Sequence, residues 1–208
     1  SVLAPVAATA ATPDPEQVHV SEATPAAEPQ ARRRNAHPVR HHSWTTYHHF
    51  KAGKRSGLRL GRGVVRMGKP RVRRIAGRSW ETGIWVSPWA SSPFPITSVI
   101  PSWEASTPGA SMVRVQVRAR AADGTVGTWD NIADWSTTSS PVRRTTHASQ
   151  RDDLGRVNVD TWVAHRSVSS WQVRVMLLRE PGSRLPVVLE RVGGVASGTV
   201  TPPVTTSR

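Results

Sequence analysis

The sequence contains a long run of cations without counter-charges. Residues 31–78 hold fifteen Lys or Arg and no Asp or Glu, whereas residues 1–30 hold four acids and no base. Residues 79–208 hold thirteen bases and ten acids, so the net charge of +14 lies almost wholly in one quarter of the chain. Such a run binds polyanions by releasing their counterions, whatever the polymer's sequence. The predicted polyanion-binding residues are Arg32, Arg33, Arg34, Arg40, Lys51, Lys54, Arg55, Arg59, Arg62 and Arg66.

A second group of cations follows the period of a β-strand. Over residues 112–121 small apolar residues alternate with polar ones, which places Arg114, Arg118 and Arg120 on one side of the strand. Arg174, in another apolar run, is predicted to join them. Guanidinium groups in a row bind carboxylates or phosphates bidentately, and a solvated sheet face is the alternative. These four residues are the predicted secondary basic face.

Tryptophan is the dominant aromatic residue, with nine Trp against one Tyr and two Phe. Exposed indoles stack on sugar rings, but indoles also fill the cores of β-sandwiches. Trp85, Trp103 and Trp171 lie in or beside apolar runs and are predicted to be buried. The predicted ligand-stacking residues, chosen for their polar neighbours, are Trp44, Trp80, Trp129 and Trp162.

Metal and cofactor chemistry receives little support. Five histidines could bind Zn, Ni or Cu weakly, but no carboxylate lies between Glu28 and Glu81 to complete a site. The aspartates at 152, 153 and 160 lack the oxygen spacing of a calcium loop. We therefore predict no metal centre and no cofactor. The histidines are His37, His41, His42, His48 and His49.

No catalytic residues are predicted. The chain contains no cysteine, so no thiolate nucleophile is available within it. No nucleophile and base pair or pair of catalytic carboxylates stands out among the scattered acids.

The elements that must position these residues are β-strands. From Trp44 onward short apolar runs are cut by Gly and Pro, of which the chain has 15 and 17, leaving no window for a long amphipathic helix. Strands are predicted at 112–121, 157–163, 172–179 and 187–192, with a turn at Asp123-Gly124. This pattern predicts an all-β fold, a β-sandwich or jelly roll, over residues 44–198.

The flanking segments have a different composition. Ala8-Thr9-Ala10 follows a small apolar stretch, a pattern typical of the end of an export signal, although an Ala/Pro-rich linker has the same composition. We expect residues 1–43 to be this remnant and a disordered Pro/Ala-rich, then basic, tail, and residues 199–208 to be a Thr/Pro linker. No stretch is long and apolar enough to span a bilayer. The expected location is secreted or cell-wall associated.

Several motifs along residues 44–198 resemble one protein family. They are Trp85–Trp89, Ser102–Gly109, the strand Val113–Arg120, Trp129–Trp135, Gln150 with Asp152–Gly155, Asp160-Thr161, Gln172–Arg179 and Gly194–Ser197. In these the sequence resembles the N-terminal module of secreted actinobacterial proteins of peptidase family C39. The resemblance implies a β-rich module that precedes, after a linker, a papain-like cysteine peptidase domain.

Charge, fold and resemblance together predict a secreted, non-catalytic accessory module. We expect it to attach to an anionic polymer or carbohydrate of the cell wall or extracellular matrix, and to serve a peptidase domain that is C-terminal to it or separate. One alternative is a cysteine peptidase of this family whose catalytic domain is not among these residues. A further alternative is a protein that binds nucleic acid without sequence specificity.

Overall fold

The computed structural model describes residues 37–138, 145–146 and 153–199. These residues form an all-β fold, which confirms the predicted fold class. Arg32, Arg33 and Arg34, the predicted tail up to residue 36 and the predicted linker from residue 200 lie outside the described residues. The elements are β1 (Val39–Trp44), α1 (Tyr47–Ala52), β2 (Lys54–Ser56), β3 (Leu58–Leu60), β4 (Val65–Met67), β5 (Arg71–Ile75), β6 (Arg78–Val86), β7 (Ala90–Ser106), β8 (Ser111–Ala121), β9 (Asp130–Trp135), β10 (Thr145–Thr146), β11 (Gly155–Asn158), β12 (Thr161–Arg179) and β13 (Val188–Gly198).

Within the described residues, thirteen strands form one antiparallel sheet, in which the two long strands β7 and β12 join two arms. In the first arm, the C-terminal half of β12 lies between β8 and β6; β9 and β10 continue beyond β8, and β2 and β5 pair with β6. In the second arm, the start of β12 pairs with β11 and β7, and β7 pairs with β13. β13 in turn pairs with β1 and with β4, which pairs with β3.

Both arms contribute to one hydrophobic core. The alternation predicted for residues 112–121 is observed, since Val113, Val115 and Val117 of β8 are fully buried in this core. From the other arm, Trp44 packs edge-on against Trp171, with ring centroids 5.9 Å apart. The opposite face of β8 carries the polar and charged residues of the strand and, at its start, Met112, which packs with Met176 and Leu178 in a smaller apolar cluster.

Two element boundaries differ from the sequence prediction. The fold was expected to begin at Trp44, after a tail through residue 43, but β1 begins at Val39 and pairs along its whole length with β13. The single strand predicted over 157–163 is a hairpin between β11 and β12. Its two turn residues, Val159 and Asp160, have φ values of 36° and 59°. Valine rarely adopts a positive φ, so a turn at this position could not be predicted from the sequence.

Helix is almost absent from the part of the chain that the structure describes. α1 has six residues and is capped by Thr46, whose hydroxyl accepts a hydrogen bond from the backbone N–H of His49. No helix among residues 37–138, 145–146 and 153–199 is long and apolar enough to cross a membrane.

Candidate functional site

The outer face of the first arm collects cations from five strands, β2, β5, β6, β8 and β12. Directly paired residues of antiparallel strands project to the same side, so the register shows which side chains share this face. Lys54 pairs with Val86, which pairs with Arg174, and Arg174 pairs with Gln116. We call this surface the basic face. Its cations are Lys54, Arg71, Arg73, Arg78, Arg114, Arg118, Arg120 and Arg174, of which Arg78 at the start of β6 forms an ion pair with Glu180.

One of these cations is neutralised within the sheet. Arg114 donates from Nε and Nη2 to the two carboxylate oxygens of Asp134 on β9, at 2.7 and 2.8 Å. Both side chains are largely shielded from solvent. The hydrogen bonds to Asp134 raise the pKa of the Arg114 guanidinium above its ordinary value. Arg114 is therefore part of the sheet's structure.

Arg118 and Arg174 are held by amide side chains instead. Arg118 donates from Nε and Nη2 to Oε1 of Gln172, at 2.9 and 2.7 Å. Arg174 donates from Nε to Oε1 of Gln116, at 2.5 Å, and the Gln116 amide donates to Asn131 at 2.5 Å. An amide fixes the orientation of a guanidinium but leaves its charge uncompensated.

Two indoles stack between these guanidinium groups. The Trp129 ring centroid lies 4.5 Å from the Arg118 guanidinium carbon and 4.4 Å from that of Arg174. Trp89 lies 4.0 Å from Arg120 and 5.3 Å from Arg118 by the same measure. Because Arg118 contacts both rings, the five side chains form one alternating series, Arg120-Trp89-Arg118-Trp129-Arg174, which we call the Arg–Trp ladder. Cation–π contacts at these distances restrain the planes of the guanidinium groups.

The charges of the basic face repel each other. Burial lowers the pKa of Arg174 to about 10, with further lowering by Arg118, Arg73 and Arg114. Burial, and then Arg120, likewise lowers the pKa of Arg118 below its ordinary value. Arginine remains charged at neutral pH, so these shifts report charges held at an energetic cost. A bound anion would relieve that cost.

The other predicted polyanion-binding residues are spread over several elements. Of those that the structure describes, Lys54 alone joins the basic face by register. Arg59 and Arg66 are both exposed and lie directly opposite each other across the β3–β4 pair. The remaining ones are also exposed: Arg40 on β1, Lys51 on α1, Arg55 on β2 and Arg62 between β3 and β4.

Three of the four predicted ligand-stacking residues are wrong. Trp44, Trp80 and Trp162 expose only 7%, 4% and 1% of their surfaces, because their strands direct them into apolar clusters. Trp129 is half-buried, and its ring already packs against two guanidinium groups. The burial predicted for Trp85 and Trp171 is confirmed, whereas Trp103 is only half-buried.

The basic face also contains residues that the sequence reasoning missed. Trp89, Gln116 and Gln172 were not singled out, although each is essential to the Arg–Trp ladder as it stands. Each glutamine lies two residues from an arginine on β8 or β12, and this spacing could have shown that the glutamines share a face with the arginines. Trp89 lies between β6 and β7, where alternation gives no guidance.

The histidines and aspartates have local structural contacts. His42 is within 3.0 Å of the Ser91 carbonyl through Nε2 and stacks on Trp44. Asp153 accepts hydrogen bonds from the backbone N–H groups of Thr128 and Leu154. Within the described ranges no three His, Asp or Glu side chains come together as metal ligands. Asp152 lies outside those ranges.

A family model described as the peptidase C39 N-terminal domain matches residues 40–197. The match covers β1 through most of β13, and so includes every strand of the basic face. No curated protein and no solved structure matches the chain.

Proposed function

Since the chain belongs to the actinobacterial family of peptidase C39 N-terminal domains, we propose that it is a non-catalytic accessory module of a peptidase and that its basic face attaches it to an anionic polymer. The 208 residues include no cysteine, so a thiolate nucleophile must come from outside them. The module's contribution is binding.

The observation that carries this proposal is the way in which Arg118 and Arg174 are held. Their hydrogen-bond partners on the sheet are glutamines, and their stacking partner is the Trp129 ring. A carboxylate in either place would have cancelled the charge, as Asp134 does for Arg114. Neutral partners orient the guanidinium groups and leave the charge for a ligand, which reduces the ordering needed on binding.

The arrangement favours a polymer over a single small anion. Residues two apart on a strand, such as Arg118 and Arg120, are separated by about 6.7 Å, and neighbouring strands lie about 4.8 Å apart. A chain with repeating phosphates or carboxylates can contact several of these cations at once. Outside the cell such a chain is a phosphodiester polymer of the wall or an acidic polysaccharide.

The test compares two charge-matched double variants of the full chain, Arg118→Gln with Arg120→Gln, and Arg59→Gln with Arg66→Gln. Binding to purified poly(glycerol phosphate) and to single-stranded oligo(dT) is measured by fluorescence anisotropy over a series of salt concentrations. If both cations of the first variant touch phosphates, its log–log salt slope is smaller by about 1.4, from about 0.7 for each contact. The second variant keeps the wild-type slope.

Equal losses in the two variants would show that binding depends on net charge rather than on the basic face. Wild-type affinity for poly(glycerol phosphate) that does not change with salt would overturn the proposal, because counterion release would then be absent. Markedly tighter binding to oligo(dT) than to poly(glycerol phosphate) would instead support a nucleic-acid-binding function.

A further inference from the structure

A pocket away from the Arg–Trp ladder brings two indoles together with a carboxylate. It has a volume of about 330 Å³, and its lining residues are Pro101, Ser102, Trp103, Trp135 and Asp160. Trp103 belongs to β7 of the second arm, and Trp135 belongs to β9 of the first arm. The pocket therefore lies where the two arms of the sheet approach each other.

Both indoles are half-buried. Each packs on one side against the hydrophobic core and also lines the pocket. An indole anchored in this way presents part of its apolar face without needing to be ordered on binding.

Asp160 lines the pocket from a strained turn. Asp160 is the second residue of the β11–β12 hairpin turn and has a φ of 59°. Val159, the first turn residue, has a φ of 36° and is 66% exposed, an unfavourable conformation for a β-branched residue. Glycine would adopt these φ values with less strain at both positions. The chain nevertheless has an aspartate at the position that lines the pocket.

We propose that this pocket binds an uncharged sugar ring of an oligosaccharide. The indole faces suit the C–H faces of a pyranose, and the Asp160 carboxylate and the Ser102 hydroxyl suit its hydroxyl groups. The volume lies at the lower end of the range for small-ligand pockets, which matches one or two sugar units.

The charge of the protein favours a neutral ligand here. Two indoles and a carboxylate are also the components of an ammonium cage. The chain, however, has a net charge of +14, and its field opposes the approach of a free cation. The sugar site is independent of the basic face and does not rest on the function proposed for that face.

The experiment uses the full chain with soluble chitotetraose, cellotetraose and maltotetraose, each titrated by isothermal titration calorimetry. The test variant is Asp160→Gly, which removes the carboxylate and suits the φ of 59°. The control variant is Val159→Gly, which relieves the neighbouring backbone strain and keeps Asp160. Thermal unfolding of both variants checks that they remain folded.

Wild-type protein is expected to bind at least one of the three oligosaccharides, with an affinity that hardly changes with salt. Asp160→Gly is expected to weaken this binding by about tenfold or more, the loss typical of a hydrogen bond to a charged group. Val159→Gly is expected to leave it within about twofold.

Three results would overturn the sugar assignment. They are no binding of any oligosaccharide by the wild type, full binding by Asp160→Gly, and preferential binding of tetramethylammonium. The Arg118→Gln and Arg120→Gln double variant is expected to bind sugar normally. Its loss of polymer binding would therefore report on the basic face alone.

Discussion

Replacing Trp129 by alanine removes the ring that stacks between Arg118 and Arg174 without changing any charge. Two cation–π contacts at 4.5 and 4.4 Å are lost, each worth about 0.5–1 kcal/mol when partly exposed. Loss of the half-buried indole surface adds about 1 kcal/mol. We expect the free energy of unfolding to fall by about 2–3 kcal/mol, which lowers the melting temperature by about 4–12 °C.

The same substitution is expected to weaken polymer binding. Without the ring, Arg118 and Arg174 keep their glutamine partners but lose the stacking that restrains their guanidinium planes, so the ligand must complete their ordering, at about 0.5–1.5 kcal/mol for each side chain. The affinity for poly(glycerol phosphate) should therefore fall at least about fivefold. The salt slope should not change, because the number of cations is unchanged.

The assay is fluorescence anisotropy below the melting temperature of the variant, with urea unfolding in parallel. Trp129→Phe is the matched control: it keeps an aromatic face, so its losses of stability and affinity should both be smaller. If the folded alanine variant binds the polymer as tightly as the wild type, the indole does not preorganise the guanidinium groups. The charges would then act without the Arg–Trp ladder.

Three further substitutions test the packing and electrostatics of the fold. Gly155→Ala would place a Cβ 2.3 Å from ring atoms of the buried Trp162, so urea unfolding should show a loss of about 1–3 kcal/mol. Burial lowers the pKa of His42 in the folded protein below its ordinary value. As the pH falls, His42 is therefore protonated in the unfolded chain before it is protonated in the folded protein, and the wild type should lose stability below about pH 6.5. His42→Gln should make thermal melts less sensitive to pH over that window. Asp134→Asn removes the carboxylate that neutralises Arg114 and should lower stability by about 1.5–3 kcal/mol in urea unfolding while tightening poly(glycerol phosphate) binding in anisotropy titrations.

The fold class could be predicted because the period of β8 is nearly ideal. Val113, Val115 and Val117 are fully buried, and the arginines that alternate with them lie on the other face, as the sequence indicated. The turn at Asp123-Gly124 is also confirmed, with Gly124 at a φ of 87° and its N–H donating to the Ala121 carbonyl. Both features are local and need no knowledge of strand partners.

The path of the long strands could not be predicted in the same way. β7 runs through Pro93, Pro95 and Pro101, although proline was expected to end the short apolar runs. The pairing of β7 with β12 shifts register between Ser91 and Ile96, so the strand passes two prolines where the ladder is interrupted. Tertiary pairing here overrides the local signal.

Only part of the candidate site could be predicted from the sequence, for a related reason. Alternation placed Arg114, Arg118 and Arg120 on one face, but the membership of Lys54 and Arg73 depends on how β2 and β5 pair with β6. Three of the four ligand-stacking predictions failed because polar sequence neighbours are a poor guide to burial in a strand, where adjacent residues face opposite sides. Trp162 is the example, since its indole N–H donates to buried Asp130 at 2.7 Å.

Nuclear magnetic resonance of the indole N–H groups tests the central claim most directly. The chain has nine tryptophans, and Trp89 and Trp129 are the two in the Arg–Trp ladder. Titration with poly(glycerol phosphate) is expected to shift the indole signals of Trp89 and Trp129, and to leave those of the buried Trp85 and Trp171 in place. Saturating polymer binding with both ladder signals unmoved would contradict attachment through the basic face.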